Sequence, residues 1–241
     1  MKYSVERNLV FERHSGLNLK GDFYRPHTPE KVPVVLVLHG GGWRRRDGDM
    51  SSICRQLARN GFAAFNSTYR LGPKNPYPAP FDDVKSALQF LKTNADKFRI
   101  DQAKIYMWGY SAGGHLALVT GLDPDHGIKG IVAGAAPTSL TSYPGSFLIR
   151  DFIGKPYSEA RELWASVSPV NCVSEKSPPV FLYHGVKDWL VGIDQMRLMK
   201  KALQKKCVRV EALEVQNLGH IGVYLFSKKS IHEGITFLKG V

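Results

Sequence analysis

From residue 33 onward, short aliphatic runs alternate with segments whose apolar residues recur at helical spacing. Residues 34–38, VVLVL, form a continuous β-branched and aliphatic run, which is the pattern of a strand buried on both faces. In residues 81–98, by contrast, Val84, Leu88 and Leu91 fall on one face of a helix. Regular alternation of this kind builds a mostly parallel sheet that is covered by helices on both faces. We therefore predict an α/β fold.

The predicted strands cover residues 4–12, 17–25, 34–38, 63–67, 105–108, 128–133, 180–183 and 209–215. The predicted helices cover residues 50–59, 81–98, 112–120, 195–205 and 224–239. Residues 72–80, GPKNPYPAP, contain four prolines and are predicted to form a loop, because proline disrupts regular structure. Residues 137–179 are of mixed character, and a segment of that length inside a compact domain is usually functional, such as a lid. We predict a single domain, residues 1–241, with a lid insertion around residues 137–179.

The chain is strongly basic, with 33 lysines and arginines against 21 acidic residues and a net charge of +12. Such a charge is compatible with nucleic acid, anionic lipid or acidic substrates. The basic residues are nevertheless dispersed, as RRR at 44–46 and KK at 200–201, 205–206 and 228–229. No RNP-like aromatic motif, zinc finger or long basic helix accompanies them. We therefore expect solvated surface charge and no nucleic-acid partner.

Cysteine usage and the N-terminus bear on the compartment. Cys54, Cys172 and Cys207 are far apart and form no CxxC or Cys/His ligand spacing, so we predict neither a disulfide framework nor a metal site. The first residues, MKYSVERNLVFERH, are charged throughout and lack the apolar region of a signal peptide. The longest aliphatic runs are of strand length, which predicts no membrane association. The expected location is the cytoplasm.

Residues 109–113 read Gly-Tyr-Ser-Ala-Gly, a GxSxG pattern that lies between a predicted strand and a predicted helix. A serine in that context occupies a tight, strained turn, and small residues two positions away on each side allow the turn to form. The Ser111 Oγ would then project above the sheet at the start of a helix. Ser111 is therefore the candidate nucleophile.

A serine becomes nucleophilic when a histidine, held by a carboxylate, accepts its proton. His220 follows the last predicted strand and is expected in a loop before the last helix, which makes it the candidate base. His184 ends a strand and could instead be a packed or hydrogen-bonding residue. Asp188 lies just beyond the strand at 180–183 and is the candidate acid, whereas Asp194 opens the next helix as a dipole or cap residue. The order Ser111, Asp188, His220 is the order that successive strand ends of one sheet produce.

The segment HGGGWRRRDG, residues 39–48, combines three glycines with three arginines. Glycine amides can approach a bound phosphate, or they can face an oxyanion that exists only during a reaction. A nucleotide site would require GxGxxG or GxxxxGK[ST], and neither is present. The oxyanion interpretation is therefore preferred, with the arginines facing water or at most the rim of the site.

Four of these segments, HGGGW at 39–43, GYSAGG at 109–114, HGVKDWLV at 184–191 and GH at 219–220, resemble the α/β-hydrolase superfamily. Within it the resemblance is to the HGGG esterase/lipase branch, which includes hormone-sensitive-lipase-like esterases, small carboxylesterases and kynurenine formamidases. Residues 69–91 are similar to that branch as well. The resemblance implies an α/β-hydrolase fold without a cofactor, and an oxyanion hole made by the amides of Gly41, Gly42 and Ala112. The chain departs from the larger members because barely 30 residues precede the glycine strand, which leaves no room for a large N-terminal cap.

We accordingly predict a carboxylesterase that acts on short-chain acyl esters of small molecules, as a monomer or homodimer. Trp43, Tyr110 and Trp189 are candidate substrate-binding residues, because a short lid and aromatic side chains suggest a shallow site. Trp164 belongs to the same aromatic set, and any of the tryptophans could instead pack in the core. Kynurenine formamidase and sugar acetyl esterase remain open as alternatives, and a catalytically silent receptor or scaffold is the non-enzyme alternative.

Overall fold

The computed structural model describes residues 1–241 and contains one sheet of eight strands. The strands are β1 (Tyr3–His14), β2 (Leu17–Pro26), β3 (Val32–Leu38), β4 (Ala63–Ser67), β5 (Ile100–Tyr110), β6 (Ile128–Gly134), β7 (Val180–Gly185) and β8 (Val210–Val215). Their order across the sheet is β1-β2-β4-β3-β5-β6-β7-β8. The pairs β1–β2 and β2–β4 are antiparallel, and all the others are parallel. The predicted mostly parallel sheet is thus confirmed.

Nine helices surround the sheet. They are α1 (Ser51–Arg59), α2 (Ala79–Thr93), α3 (Ala95–Phe98), α4 (Ala112–Gly121), α5 (Phe147–Ile153), α6 (Arg161–Ser166), α7 (Asp194–Lys205), α8 (His220–Phe226) and α9 (Lys228–Lys239). Strand β3 shows how they cover both faces, because its alternate side chains enter two different hydrophobic clusters. Leu36 packs in the cluster that α2, α4 and α7 cover, and Val37 packs in the cluster beneath α1 and α9.

Two predicted boundaries are wrong near the proline segment. Helix α2 begins at Ala79, so Pro80 lies inside a helix rather than in a loop. Proline is tolerated in the first turn because the backbone donor that it lacks would have no helical partner there. The predicted helix 81–98 is also divided, since α2 ends at Thr93 and the short α3 follows Asn94.

The C-terminal helix also differs from its prediction. The chain forms two helices where one was expected, and His220 is the first residue of α8 rather than a loop residue. Gly219 precedes it in an extended conformation. Ser227 separates the two helices with non-helical dihedral angles, and its side chain accepts a hydrogen bond from the Ser230 amide at the start of α9. The apolar periodicity continues across Ser227, so the sequence pattern does not reveal that the helix is interrupted there.

Residues 137–179 fold into α5, α6 and short 3₁₀ turns at Leu140–Ser142 and Pro169–Asn171. The segment is anchored to α7, because the Gln195 side-chain oxygen accepts the amides of Thr138 and Ser139 at 3.0 and 2.8 Å. Helix α5 is also tied to the loop before α2, where the Tyr77 amide donates to the Phe152 carbonyl at 2.6 Å. This segment is therefore packed against the body of the fold.

Candidate active site

Ser111, Asp188 and His220 follow β5, β7 and β8 in turn. These strands run parallel, so their carboxyl ends meet at one edge of the sheet. That edge is where open α/β sheets bind their ligands. Residues that are far apart in sequence are brought together by this topology.

Ser111 lies between the last residue of β5 and the first residue of α4, with φ 53° and ψ −121°. A positive φ is a strained conformation for a residue with a side chain. The flanking glycines explain how the turn closes. A Cβ on Gly109 would overlap the Gly113 carbonyl, and a Cβ on Gly113 would overlap the carbonyl oxygens of Leu38 and His39. The two glycines of the GxSxG pattern are therefore required by close backbone contacts at Gly109 and Gly113.

Asp188 and His220 form a buried pair, with 2.7 Å between the His220 Nδ1 and the Asp188 Oδ2. The other carboxylate oxygen accepts the amides of Leu190 and Val191 at 3.0 and 2.9 Å. Burial alone would raise the pKa of Asp188, but hydrogen bonds from His184 and His220 outweigh it and hold that pKa well below the usual range. Asp188 is therefore ionised at neutral pH.

Asp194, the competing acid, is exposed and begins α7, where its side chain accepts a hydrogen bond from Gln195 at 3.1 Å. The structure thus places Asp188, and not Asp194, against His220. No hydrogen bond joins the Ser111 hydroxyl to His220 in this structure. Such contacts commonly form only once substrate is bound.

Tyr110 contacts the candidate base, His220. Its hydroxyl donates to the His220 backbone carbonyl at 2.5 Å, and its ring lies 5.4 Å from the imidazole. The side chain is buried, and burial raises the pKa of the Tyr110 phenol, so it remains a neutral donor. Tyr110 thus fixes the first residue of α8, and contact between Tyr110 and substrate stays a prediction.

The glycine loop lies beside Ser111. A Cβ on Gly40 would stand 3.4 Å from the Ser111 Cβ. Gly41 and Gly42 have φ values of 110° and 58°, which favour glycine. The amides of Gly41, Gly42 and Ala112 take part in none of the hydrogen bonds that hold the turns and loops. The glycine loop is thus adjacent to the candidate nucleophile, and the amides of Gly41, Gly42 and Ala112 stay the predicted oxyanion-hole donors.

His39 stabilises the start of this loop. It stacks on Tyr69 with ring centroids 4.4 Å apart, and its Nδ1 lies 2.7 Å from the Gly40 carbonyl. Burial lowers the pKa of His39 to about 4, so the ring is neutral and donates to that carbonyl. Its other nitrogen contacts the Thr68 hydroxyl at 3.0 Å.

The neighbouring arginines are largely occupied by acidic partners. Arg44 pairs with Asp151 at 3.4 Å and lies over the Phe147 ring, and Arg45 pairs with Asp47 at 3.0 Å. These contacts connect the glycine loop to α5. Their pairing supports the interpretation of the arginines as surface residues.

Of the predicted aromatic lining, only Trp189 is accessible. Trp43 is 3% exposed and stacks on Phe152, with ring centroids 4.7 Å apart. Trp164 is fully buried, whereas Trp189 is 88% exposed. The Trp43 indole packs in the core between the glycine loop and α5, and contact between Trp43 and substrate stays a prediction.

Large exposed apolar side chains instead occupy the segments that follow the candidate acid and base. They are Trp189 and Leu190 after Asp188, Ile221, Leu225 and Phe226 on α8, and Phe147 on α5. Periodicity could not reveal them, since their exposure depends on how α8 packs.

The sequence predicted for His184 only the role of a packed or hydrogen-bonding residue at a strand end, and did not link it to Asp188. His184 is buried near the end of β7, with its Nε2 at 2.7 Å from the Val191 carbonyl and 3.2 Å from the Asp188 Oδ2. The signal in the sequence was its position four residues before Asp188.

Solved structures with the same architecture are similar over nearly the whole chain. An acetyl ester-xyloside bifunctional hydrolase from Caldicellulosiruptor lactoaceticus superposes with a TM-score of 0.84 and 24% identity, covering 96% of this chain and 94% of that one. Esterase 2 of Thermogutta terrifontis superposes with a TM-score of 0.83 and 23% identity, covering 99% of this chain and 94% of that one. The chain has the α/β-hydrolase fold, as predicted.

Curated relatives from Mycobacterium tuberculosis align over much of the sequence. Esterase LipC is 27% identical over 242 residues, which cover 90% of this chain and 60% of LipC. The probable carboxylic ester hydrolase LipM is 27% identical over 217 residues, which cover 81% of this chain and 48% of LipM. The chain thus spans about half to three fifths of these relatives. The BD-FAE family model matches residues 22–203, and the chain therefore belongs to the BD-FAE family of the α/β-hydrolase superfamily.

Proposed function

We propose that the protein is a serine carboxylesterase whose nucleophile, base and acid are Ser111, His220 and Asp188. The observation that carries the proposal is the strained Ser111 turn at the same sheet edge as the buried Asp188–His220 pair. The relatives named as esterases support it.

The proposed reaction begins with proton transfer. Because an ionised carboxylate only accepts, the Asp188 Oδ2 requires a proton on the His220 Nδ1, which leaves the Nε2 of neutral His220 as the base. As the Ser111 Oγ attacks the ester carbonyl carbon, its proton passes to that Nε2. The amides of Gly41, Gly42 and Ala112 receive the oxyanion, and each donor contributes about 3 kcal/mol in the transition state.

Collapse of the tetrahedral intermediate breaks the bond to the alkoxy group, which takes the proton from the His220 Nε2 and departs as an alcohol. Water then attacks the acyl-serine, with His220 again accepting a proton. The acid is released and the Ser111 hydroxyl is restored.

The proposed substrates are small-molecule esters with a short acyl chain. The packed segment 137–179, which we propose as a short lid, supports a shallow site, since Leu148 of α5 lies against Gly42. Sugar acetyl esters are a second candidate, favoured by the exposed face of Trp189 beside Asp188. An exposed indole offers the flat apolar surface on which a sugar ring can pack.

We further propose that the protein is cytoplasmic and acts as a monomer or homodimer. Its three unpaired cysteines support a reducing compartment. No helix combines the length and the apolar character that crossing a bilayer demands.

The test is a hydrolysis profile of purified protein and of Ser111→Ala. The substrates are p-nitrophenyl esters from acetyl to decanoyl, together with acetylated xylo-oligosaccharides and N-formyl-kynurenine. We expect the highest kcat/KM on acetyl to butyryl esters and a loss of several orders of magnitude in Ser111→Ala. Equal rates for the two proteins on every ester would overturn the proposed function. Preference for N-formyl-kynurenine would reassign the substrate to a formamide.

A further inference from the structure

A second histidine, His184, contacts the carboxylate of the proposed acid at the oxygen that also faces the proposed base, His220. Its Nε2 lies 3.2 Å from the Asp188 Oδ2, the same oxygen that faces the His220 Nδ1 at 2.7 Å. We propose that His184 is a positioning residue that orients Asp188 and tunes the charge it presents to His220. This inference rests on the proposed function.

Donor and acceptor chemistry assigns the proton of His184. The Val191 carbonyl and the ionised Asp188 carboxylate both only accept, and both lie within reach of the same ring nitrogen. The Nε2 of His184 therefore carries a hydrogen, which it shares between the two oxygens. A neutral ring suffices for this role.

The contact completes the coordination of Asp188. One oxygen accepts two amides, from Leu190 and Val191, and the other accepts the His220 N–H at 2.7 Å and lies 3.2 Å from the His184 Nε2. With one oxygen held by backbone, the position of the other is set by the two rings.

His184 also closes the turn that carries the acid. It is the penultimate residue of β7, and its hydrogen bond to the Val191 carbonyl spans residues 185–190. The turn is fixed elsewhere by backbone contacts, since the Val186 amide donates to Val215 and the Lys187 amide donates to Leu218. His184 thus adds a second link between the far end of the turn and the carboxylate, beside the Val191 amide that donates to the Asp188 Oδ1.

Other titratable groups near this pair do not replace the contact. Tyr110 packs on His220 from β5, and the Tyr143 hydroxyl accepts the Gly192 amide at 3.1 Å. Glu214 of β8 lies in register with His184 and is paired with Arg197 at 2.8 Å. None of these three groups donates a hydrogen bond to the Asp188 carboxylate.

Two substitutions distinguish the effect of the His184 N–H donor from the effect of the volume of its ring. His184→Phe keeps the ring but removes the N–H, whereas His184→Gln places an amide N–H near the position of the Nε2. We expect His184→Phe to lower kcat on p-nitrophenyl acetate about 10- to 100-fold with KM within about twofold, and His184→Gln to retain most of the rate. His232→Phe on the exposed face of α9 is the matched control and should be unchanged.

The pH profile of kcat/KM distinguishes a positioning role from a purely structural one, because a structural role would leave that profile unchanged. A carboxylate that has lost one donor stabilises the imidazolium more strongly, so the acid limb of kcat/KM should move to higher pH in His184→Phe and return in His184→Gln. If His184→Phe does not fold, His184→Asn replaces it, because its amide is too short to reach Asp188. Equal kcat and an unmoved acid limb in the donor-free and donor-retaining variants would overturn the inference.

A second measurement is independent of catalysis. The measurement is made in the Ser111→Ala background, on the low-field NMR resonance of the proton in the Asp188–His220 hydrogen bond. This resonance should shift when His184→Phe is added and should return to its original position with His184→Gln. An unmoved proton resonance would overturn the inference. An inactive wild-type protein would overturn only the proposed function.

Discussion

Ser111 occupies a backbone conformation that few residues with a side chain adopt. The contacts of the neighbouring residues offset the free-energy cost of that conformation. Gly113 brings the start of α4 against the end of β3, with no space for a methyl group. The position of the candidate nucleophile, Ser111, relative to the glycine loop therefore depends on the absence of a side chain at Gly113.

Gly113→Ala should accordingly destabilise the protein by roughly 2–3 kcal/mol and abolish most activity, because the new Cβ would overlap backbone carbonyls that cannot move independently. Urea unfolding and kcat on p-nitrophenyl acetate measure the two effects. Gly145→Ala is the control, since nothing lies within 4 Å of its Cβ position. Equal stability of the two variants would contradict the packing argument.

At Asp188 we expect Asn to lower kcat by about four orders of magnitude while the fold is retained, because an amide can stabilise the wrong imidazole tautomer. Circular dichroism and steady-state kinetics on p-nitrophenyl acetate check both points. Asp194→Asn, an exposed residue at the start of α7, should keep the wild-type rate. A crippling effect at Asp194 instead would refute the assignment of the acid.

Among the elements, α8 is short, and only His220 and Val223 are buried in it. A seven-residue helix has little stability of its own and depends on tertiary contacts. Two contacts supply them. Tyr224 packs on Gly48 of the glycine loop, and Tyr110 holds the His220 carbonyl.

Tyr110→Phe should therefore reduce the free energy of unfolding by about 1–2 kcal/mol and lower kcat, since the buried His220 carbonyl would lose its donor. The measurements are urea unfolding and kcat at constant pH. Tyr3→Phe on β1 serves as the control because the Tyr3 hydroxyl makes no hydrogen bond. A kcat unchanged in Tyr110→Phe would show that α8 is positioned without this contact.

At the scale of the whole molecule, two buried histidines connect stability to pH. Burial lowers the pKa of His39 and of His115 to about 4, against an ordinary value of 6.5. The unfolded chain therefore binds more protons than the folded one between these values, and stability falls as pH decreases through that window. Asp188 affects stability at lower pH. Its lowered pKa contributes stability that is lost only as the pH falls below the ordinary pKa of a carboxyl group.

We expect the free energy of unfolding to fall by up to about 1.4 kcal/mol per pH unit for each of the two histidines between pH 6 and pH 4.5. Urea unfolding at half-unit steps measures the slope. His27→Gln should leave it unchanged, because His27 is exposed. A stability that is constant from pH 7 to pH 5 would contradict the burial of neutral imidazoles.

The sequence by itself determined the alternating strands and helices, the GxSxG turn and the chain order of the candidate acid and base. These features are local or periodic, so each appears in a few neighbouring residues. It also identified Asp188 over Asp194, because one follows a strand and the other opens a helix.

Only the tertiary structure decided which side chains are accessible and which share a partner. Trp43 and Tyr110 are buried while Trp189 is exposed, although all three lie next to motif residues. His184 meets Asp188 because the turn after β7 folds back to bring the Val191 carbonyl and the carboxylate to one nitrogen. Burial and shared hydrogen bonds arise from contacts between segments distant in the chain, and no local pattern encodes them.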